Sequence, residues 1–127
     1  MPLIADAVLD AALVVLVTGG GRLDITHTEP TNYTQAITTF SVGNKIGLNI
    51  GAPAARSPSG RQVTVAAIIG GTLTATATSV ADDAQFWAIS DPSTSRLLAA
   101  GTLAAAQMQV SGGTFSLAAF TIGLAGA

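Results

Sequence analysis

The stretch of sequence that decides the fold is residues 86–103, which read FWAISDPSTSRLLAAGTL. β-formers lie on both sides of Asp91-Pro92-Ser93, where the proline presets φ for a turn and the aspartate can bond the backbone beyond it. This pattern predicts a β-hairpin. Trp87 is the only tryptophan in the chain. A single large aromatic among many small side chains is expected in the core, between the sheets.

The composition of the chain indicates one domain with an unusual surface. A length of 127 residues suits a single domain, 1–127, with one core. Only 9% of the residues are charged and 49% are hydrophobic, whereas ordinary soluble domains carry about 25% charged residues. Because so little charge leaves apolar surface exposed, we expect copies of the chain or another protein to cover much of the exterior.

Charge, hydropathy and cysteine content disfavour several classes of partner. The net charge is −2 and the five basic residues are scattered, so no clustered face for nucleic acid is predicted. The apolar run Leu3–Val17 is too short to span a bilayer and contains Asp6 and Asp10. The absence of cysteine rules out disulfides and thiolate metal sites. We therefore expect neither a nucleic-acid nor a membrane partner.

The N-terminal part of the chain predicts a helix. Leu3–Val17 contains good helix formers, with Pro2 before it and three glycines after it. Residues 1–21 are thus interpreted as a helix with a glycine hinge, and residues 22–127 as the β-domain. Asp6 and Asp10 lie one turn apart and indicate a solvated stripe rather than an acid–base pair. The helix carries more apolar surface than one sheet face needs.

The remainder of the chain predicts an antiparallel β-sandwich of about eight or nine short strands. Arg22–His27 alternates apolar and polar residues, as a half-buried strand does. Gly70-Gly71 reads as a two-residue hairpin turn, and Ala52–Ser59 as part of a long exposed loop and a candidate interface arm. The predicted strands, besides those of the hairpin, are Arg22–His27, Gln35–Phe40, Ile46–Ile50 around a turn at Gly43-Asn44, Arg61–Ile69, Thr72–Thr78, Ala104–Val110 and Thr114–Ile122.

No constellation in the sequence predicts catalysis. His27 and Asp24 are three residues apart, which on a strand places them on opposite faces, and no serine lies in a nucleophile-elbow sequence. Asp82-Asp83 lacks the further oxygen ligands that a hard cation needs. We predict no catalytic residue, no metal site and no cofactor.

Several stretches of the chain together resemble the small β-sandwich virion structural proteins of tailed bacteriophages. Such proteins carry a short helix, a strand that ends in a Thr-x-Pro-like turn, and a late hairpin with alanine, a hydrophobe, any residue and aspartate before a leucine pair and glycine. Where they often have Gly-Asp or Gly-Asn before the final strand, this chain has Gly113-Thr114. The stretches are Leu23–Thr31, Arg61–Val65, Trp87–Asp91, Arg96–Leu103 and Val110–Phe115.

The resemblance implies a structural role in the virion. The function expected first is a capsid decoration, or cement, protein that binds the head lattice as a homo-oligomer, for which a trimer is one arrangement, with the major capsid protein as its partner. The alternative is a tail or fibre component that contacts the host receptor or anchors a fibre, through aromatics such as Tyr33 and Phe40. We predict that the contacts come from the helix and the loop. The candidate interface residues are Leu3, Ile4, Val8, Ala52, Pro53, Arg56 and Pro58.

Overall fold

The computed structural model describes residues 5–57, 59–74, 83–107 and 112–124. Within these residues the chain forms one α-helix, one short π-helical segment and nine strands. The elements are α1 (Asp6–Gly19), β1 (Arg22–Thr26), the π-helical segment (Gln35–Thr39), β2 (Ser41–Ile46), β3 (Ala54–Ala55), β4 (Arg61–Val65), β5 (Ile68–Leu73), β6 (Ala84–Asp91), β7 (Arg96–Gln107), β8 (Thr114–Leu117) and β9 (Phe120–Leu124).

The strands form two antiparallel sheets, so the predicted mainly β, sandwich-like fold with a leading helix is confirmed. The large sheet has the order β7-β6-β1-β2-β5-β8, and the small sheet has the order β3-β4-β9. Leu23 and Ile25 of β1 are completely buried at the centre of the large sheet. With Leu13 and Leu16 of α1 and Val63 of β4 they belong to one continuous core, so the helix and the small sheet cover the same face of the large sheet.

The hairpin predicted around Asp91-Pro92-Ser93 is formed by β6 and β7, with residues 92–95 as its loop. Asp91 is paired with Arg96 at the loop end. The Asp91 carboxylate accepts hydrogen bonds from the Ser93 backbone N–H at 3.0 Å and from the Ser93 hydroxyl at 2.7 Å. These bonds are the aspartate contacts that favour turns.

Trp87 lies between the two sheets, as predicted, but it is only half-buried. Its ring centroid is 4.8 Å from that of Phe120 in β9. Its cross-strand partner is Gly101, and a Cβ atom on Gly101 would lie 2.6 Å from Cζ2 of the indole. The glycine is therefore required by the close approach of the ring.

The predicted helix is present as α1, with bounds shifted towards the C-terminus. Leu9, Leu13 and Leu16 are buried in a single stripe, which matches the period of an amphipathic helix. Leu3 and Ile4 lie outside the described residues. Asp10 is not simply solvated, because it forms an ion pair with Arg61 of β4 at 2.7 Å.

The prediction that β1 is half-buried was wrong. Asp24 and Thr26 on its second face are as completely buried as Leu23 and Ile25 on the first. The π-helical segment packs on β1, β2 and β6 and covers this second face. The alternation of apolar and polar residues along a strand indicates which side chains share a face. It does not indicate whether a segment distant in the sequence covers that face.

Two strands predicted between residues 35 and 50 were also wrong. Gln35–Thr39 is the π-helical segment, and Phe40 caps its C-terminal end. Asn32 Oδ1 accepts a hydrogen bond from the Gln35 N–H at 2.9 Å, and such local side-chain bonds compete with strand formation. Instead of a turn followed by a strand from Ile46, the chain forms β2, with Gly43-Asn44 in its middle. A Cβ atom on Gly43 would lie 2.9 Å from the Thr72 carbonyl oxygen, so this glycine marks close packing.

The structure corrects three further predictions about chain reversals. Gly70-Gly71 is not a hairpin turn, because β4 and β5 belong to different sheets and both glycines lie within β5. The loop that contains Ala52–Ser59 includes β3, which pairs with β4. Thr114–Ile122 is two strands, since the chain leaves the large sheet after β8 and enters the small sheet at β9. Parts of two predicted strands, 75–78 and 108–110, lie outside the described residues.

Candidate interaction surfaces

The solvent-facing side of α1 is almost entirely apolar. Val8 is 60% exposed, Val15 is 43% exposed and Val14 is 40% exposed. Val8, Ala11, Ala12 and Val15 recur at the spacing of one helix face, and we call them the outer stripe of α1. Among the exposed positions of α1, all of which the structure describes, Asp6 is the only charged residue. The prediction that the helix has apolar surface to spare is thereby confirmed.

The predicted interface arm contains a small hairpin in which β3 pairs with β4. Ala52, Ala54 and Ala55 are exposed, while Pro53 and Arg56 are half-buried. Arg56 holds the loop together, because its backbone N–H donates to the Gly60 carbonyl at 3.0 Å and its guanidinium donates to the Ser59 carbonyl at 3.1 Å. Pro58 lies outside the described residues.

Arg61 fixes the hairpin against α1. Its guanidinium donates to the two Asp10 carboxylate oxygens at 2.7 and 3.3 Å and to the Pro53 carbonyl at 3.4 Å. The hydrogen bond that Arg61 donates to Asp10 raises the pKa of Arg61 above its ordinary value. The helix and the hairpin therefore lie side by side on the molecule.

The structure does not join all the candidate interface residues into one patch. Asp10 is directed at the hairpin, and residues two positions apart on a helix point about 200° apart. Val8 and the rest of the outer stripe therefore lie on the flank of α1 that faces away from Ala52 and Pro53. Two separate surfaces result, the outer stripe and the exposed alanines of the hairpin.

Sequence reasoning did not find the polar cluster on the second face of the large sheet. The Arg22 guanidinium donates to Asp24 Oδ1 at 2.7 Å and to Oδ2 at 3.0 Å, and the Ser41 hydroxyl donates to Oδ2 at 2.6 Å. The hydrogen bond to Asp24 raises the pKa of Arg22 above its ordinary value. Asp24 is completely buried. The Arg22 guanidinium also donates to the Ile37 carbonyl at 3.4 Å. Because these bonds join residues of three elements, we assign the cluster to holding β1, β2 and the π-helical segment together.

The residues weighed for chemistry are not assembled into a catalytic group. His27 Nδ1 lies 2.8 Å from the Thr28 hydroxyl, and its ring packs edge-on against Phe40, whereas Asp24 is engaged by Arg22. Of the Asp82-Asp83 pair, Asp82 lies outside the described residues. Over the described ranges, no group of three or more histidine, cysteine, aspartate or glutamate side chains could hold a metal ion.

A half-open apolar cavity of about 270 Å³ lies where the two edges of the large sheet approach each other. Thr102 and Leu103 belong to β7 and Leu117 belongs to β8, the two outermost strands of that sheet. The sheet is therefore curled until its edges border one space, which we call the seam. The sequence carried no signal for it. The residues that line the cavity are Trp87, Thr102, Leu103, Leu117, Ala118, Ala119 and Phe120.

In the described residues, no helix has the length and hydropathy needed to cross a membrane. No protein-family model, curated protein or solved structure matches this chain.

Proposed function

We propose that this chain is a bacteriophage virion structural protein, a capsid decoration (cement) protein that binds and stabilises the head lattice as an oligomer. The virion as its location, and the major capsid protein as its partner, come from the resemblance carried by stretches such as Trp87–Asp91 and Arg96–Leu103. The structure supports the proposal with surfaces suited to assembly.

The observation that carries the proposal is the pair of uncharged surfaces on opposite flanks of α1. A protein that reinforces a lattice contacts at least two neighbours, so it needs two separate surfaces. The outer stripe offers Val8 and Val15 to one neighbour, and the hairpin offers Ala54 and Ala55 to another. Apolar surface of this kind gains free energy when another protein covers it.

The alternative, a tail or fibre component that contacts a host receptor, draws less support from the structure. Sugars are commonly held by exposed aromatic faces, and the sequence offered Tyr33 and Phe40 for that purpose. Both side chains are half-buried, and Phe40 already packs against the His27 ring. We therefore place the decoration role first.

Virions that contain the protein provide the test. A decoration protein is expected in hundreds of copies per particle, in proportion to the capsid protein, whereas a tail component would be present in a handful. Virions should then be assembled with Val8→Asp/Val15→Asp or with Ala54→Glu/Ala55→Glu. Each double variant should lower the copy number, because a charge buried in an apolar contact is costly.

The matched control is Ile69→Asp. Ile69 is 75% exposed and lies in β5, outside both surfaces, so this variant should load normally. A handful of copies per particle for the parent protein would overturn the decoration role. Normal loading of both double variants would overturn the assignment of the two surfaces.

A further inference from the structure

We propose that the seam is a binding site for an extended segment of a partner protein, uncharged and carrying one apolar side chain that enters the cavity. This inference goes beyond the proposed virion function and does not depend on it. Two independent features coincide at the seam, an apolar cavity and a strand, β7, that is outermost in the large sheet among the described strands.

The cavity selects an apolar side chain. Its lining includes the aromatic residues Trp87 and Phe120 and the aliphatic residues Leu103 and Leu117. Since none of the described residues that line the cavity is charged, a charged side chain entering it would lose its hydration without gaining a partner among them. A volume of about 270 Å³ exceeds that of cavities of about 150 Å³ that hold benzene.

The outer edge of β7 is suited to binding an extended backbone. Within the part of the chain that the structure describes, no strand pairs with β7 on the side away from β6. Along Ala99–Thr102, where β7 pairs regularly with β6, alternate residues direct their backbone N–H and C=O groups outwards. Such an edge is a template for a further strand.

The sequence of β7 lacks the residues that commonly protect an edge strand. Between Arg96 and Gln107 it contains no charged residue and no proline, the two kinds of residue that serve this purpose. Thr102 and Leu103 of this strand line the cavity. A strand added along the edge of β7 would therefore lie beside the cavity, within reach of one of its side chains.

The probe for this site is the capped peptide acetyl-KTVTLTVTK-amide, whose terminal lysines serve solubility. Its binding is followed by the emission of Trp87, the only tryptophan, and by calorimetry. We expect a saturable shift of the emission. Two control peptides, one with the central leucine replaced by aspartate and one N-methylated through its five central residues, should bind at least about tenfold more weakly. The first removes the apolar side chain and the second removes the backbone donors.

Two protein variants locate the binding. Ala118→Leu and Ala119→Leu enlarge side chains that line the cavity. Each should weaken the binding of the leucine peptide at least about tenfold. Ala12→Leu is the matched control, because Ala12 is exposed on α1, away from the seam. Thermal melting of each variant checks that it is folded.

Three results would overturn the proposal. The first is that the leucine peptide fails to bind the parent protein. The second is that the N-methylated peptide binds as tightly as the leucine peptide, which would show that the cavity accepts an apolar group without a strand. The third is a dimer in sedimentation that both Ala118→Leu and Ala119→Leu dissociate, which would show that a second copy of the chain, rather than a partner protein, occupies the seam.

Discussion

At the scale of single residues, two aspartate–arginine ion pairs have the same nitrogen–oxygen distance but differ in how deeply the aspartate is buried. Arg22–Asp24 and Arg61–Asp10 both place a guanidinium Nε 2.7 Å from a carboxylate oxygen. The Asp24 side chain is completely buried, whereas that of Asp10 is about one-third exposed. Burial decides how much free energy of unfolding is lost when such a pair is broken, because a charge left without its partner is costly only where water cannot reach it.

Replacing these two aspartates should therefore have unequal effects. Asp24→Ala should lower the free energy of unfolding by about 3 kcal/mol, the low end for a broken buried pair. It leaves Arg22 and the Ser41 hydroxyl with only their longer bonds, to the Ile37 and Gly43 carbonyls at 3.4 and 3.3 Å, but the Arg22 side chain is 24% exposed to water. Asp10→Ala should cost less, and salt should weaken its effect further. Urea denaturation at low and high salt measures both. Equal losses for the two variants would contradict the assignment of Asp24 to the structural cluster.

Gly101 is the second residue whose replacement should be informative. Gly101→Ala should lower the free energy of unfolding by about 1–3 kcal/mol, because its Cβ atom would collide with the Trp87 indole. Gly51→Ala serves as the control: its Cβ atom would meet only the Thr64 carbonyl oxygen, at 3.8 Å, and its effect should stay within about 0.5 kcal/mol. A Gly101→Ala protein as stable as the control would show that the ring does not rest on this glycine.

At the scale of elements, the loop of the β6–β7 hairpin stores strain at Ser95. Its φ is 56°, a left-handed conformation that costs residues other than glycine about 1–3 kcal/mol. Ser95→Gly should raise the free energy of unfolding by up to about 1 kcal/mol, after the greater flexibility of glycine in the unfolded chain is subtracted. Ser93→Gly should lower it instead, because Ser93 donates to Asp91. Differential scanning calorimetry of the two variants should give shifts of opposite sign.

The same loop should make stability depend on pH. Hydrogen bonds from Ser93 and Thr94 hold the pKa of Asp91 below its ordinary value. A carboxylate whose pKa is lower in the folded state stabilises the fold above its unfolded-state pKa, and that contribution is lost as the pH falls through the folded-state pKa. The difference in unfolding free energy between the parent and Asp91→Asn should therefore shrink between pH 7 and pH 2. A difference that stays constant over this range would contradict the role of the carboxylate.

At the scale of the whole molecule, low charge and the outer stripe of α1 predict self-association. We expect light scattering at physiological salt to report a mass above that of one chain. Val8→Asp/Val15→Asp should reduce it towards the monomer without lowering the melting temperature, since both valines are exposed in the single chain. The control, Ile69→Asp, should leave the oligomer intact. A monodisperse monomer of the parent protein at high concentration would contradict this prediction.

The sequence by itself determined those elements whose signal is local. The turn residues Asp91-Pro92-Ser93 mark the central hairpin, and the run of helix formers between Pro2 and the three glycines marks α1, because both signals depend on interactions within a few residues. The mainly β class also followed, since many short β-forming runs with turn signals have few other solutions. The apolar excess of α1 was equally visible, because it needs only the composition of one helix.

Only the tertiary structure decided which segments cover which faces. Gly43 and Gly71 read as turn residues in the sequence, yet they lie within strands, where backbone or an aromatic ring comes too close for a side chain. The burial of Asp24 depends on the distant π-helical segment. The seam depends on the curvature that brings β7 and β8, the opposite edges of one sheet, to a shared cavity. These features arise from contacts between residues far apart in the chain, and local patterns carry no record of such contacts.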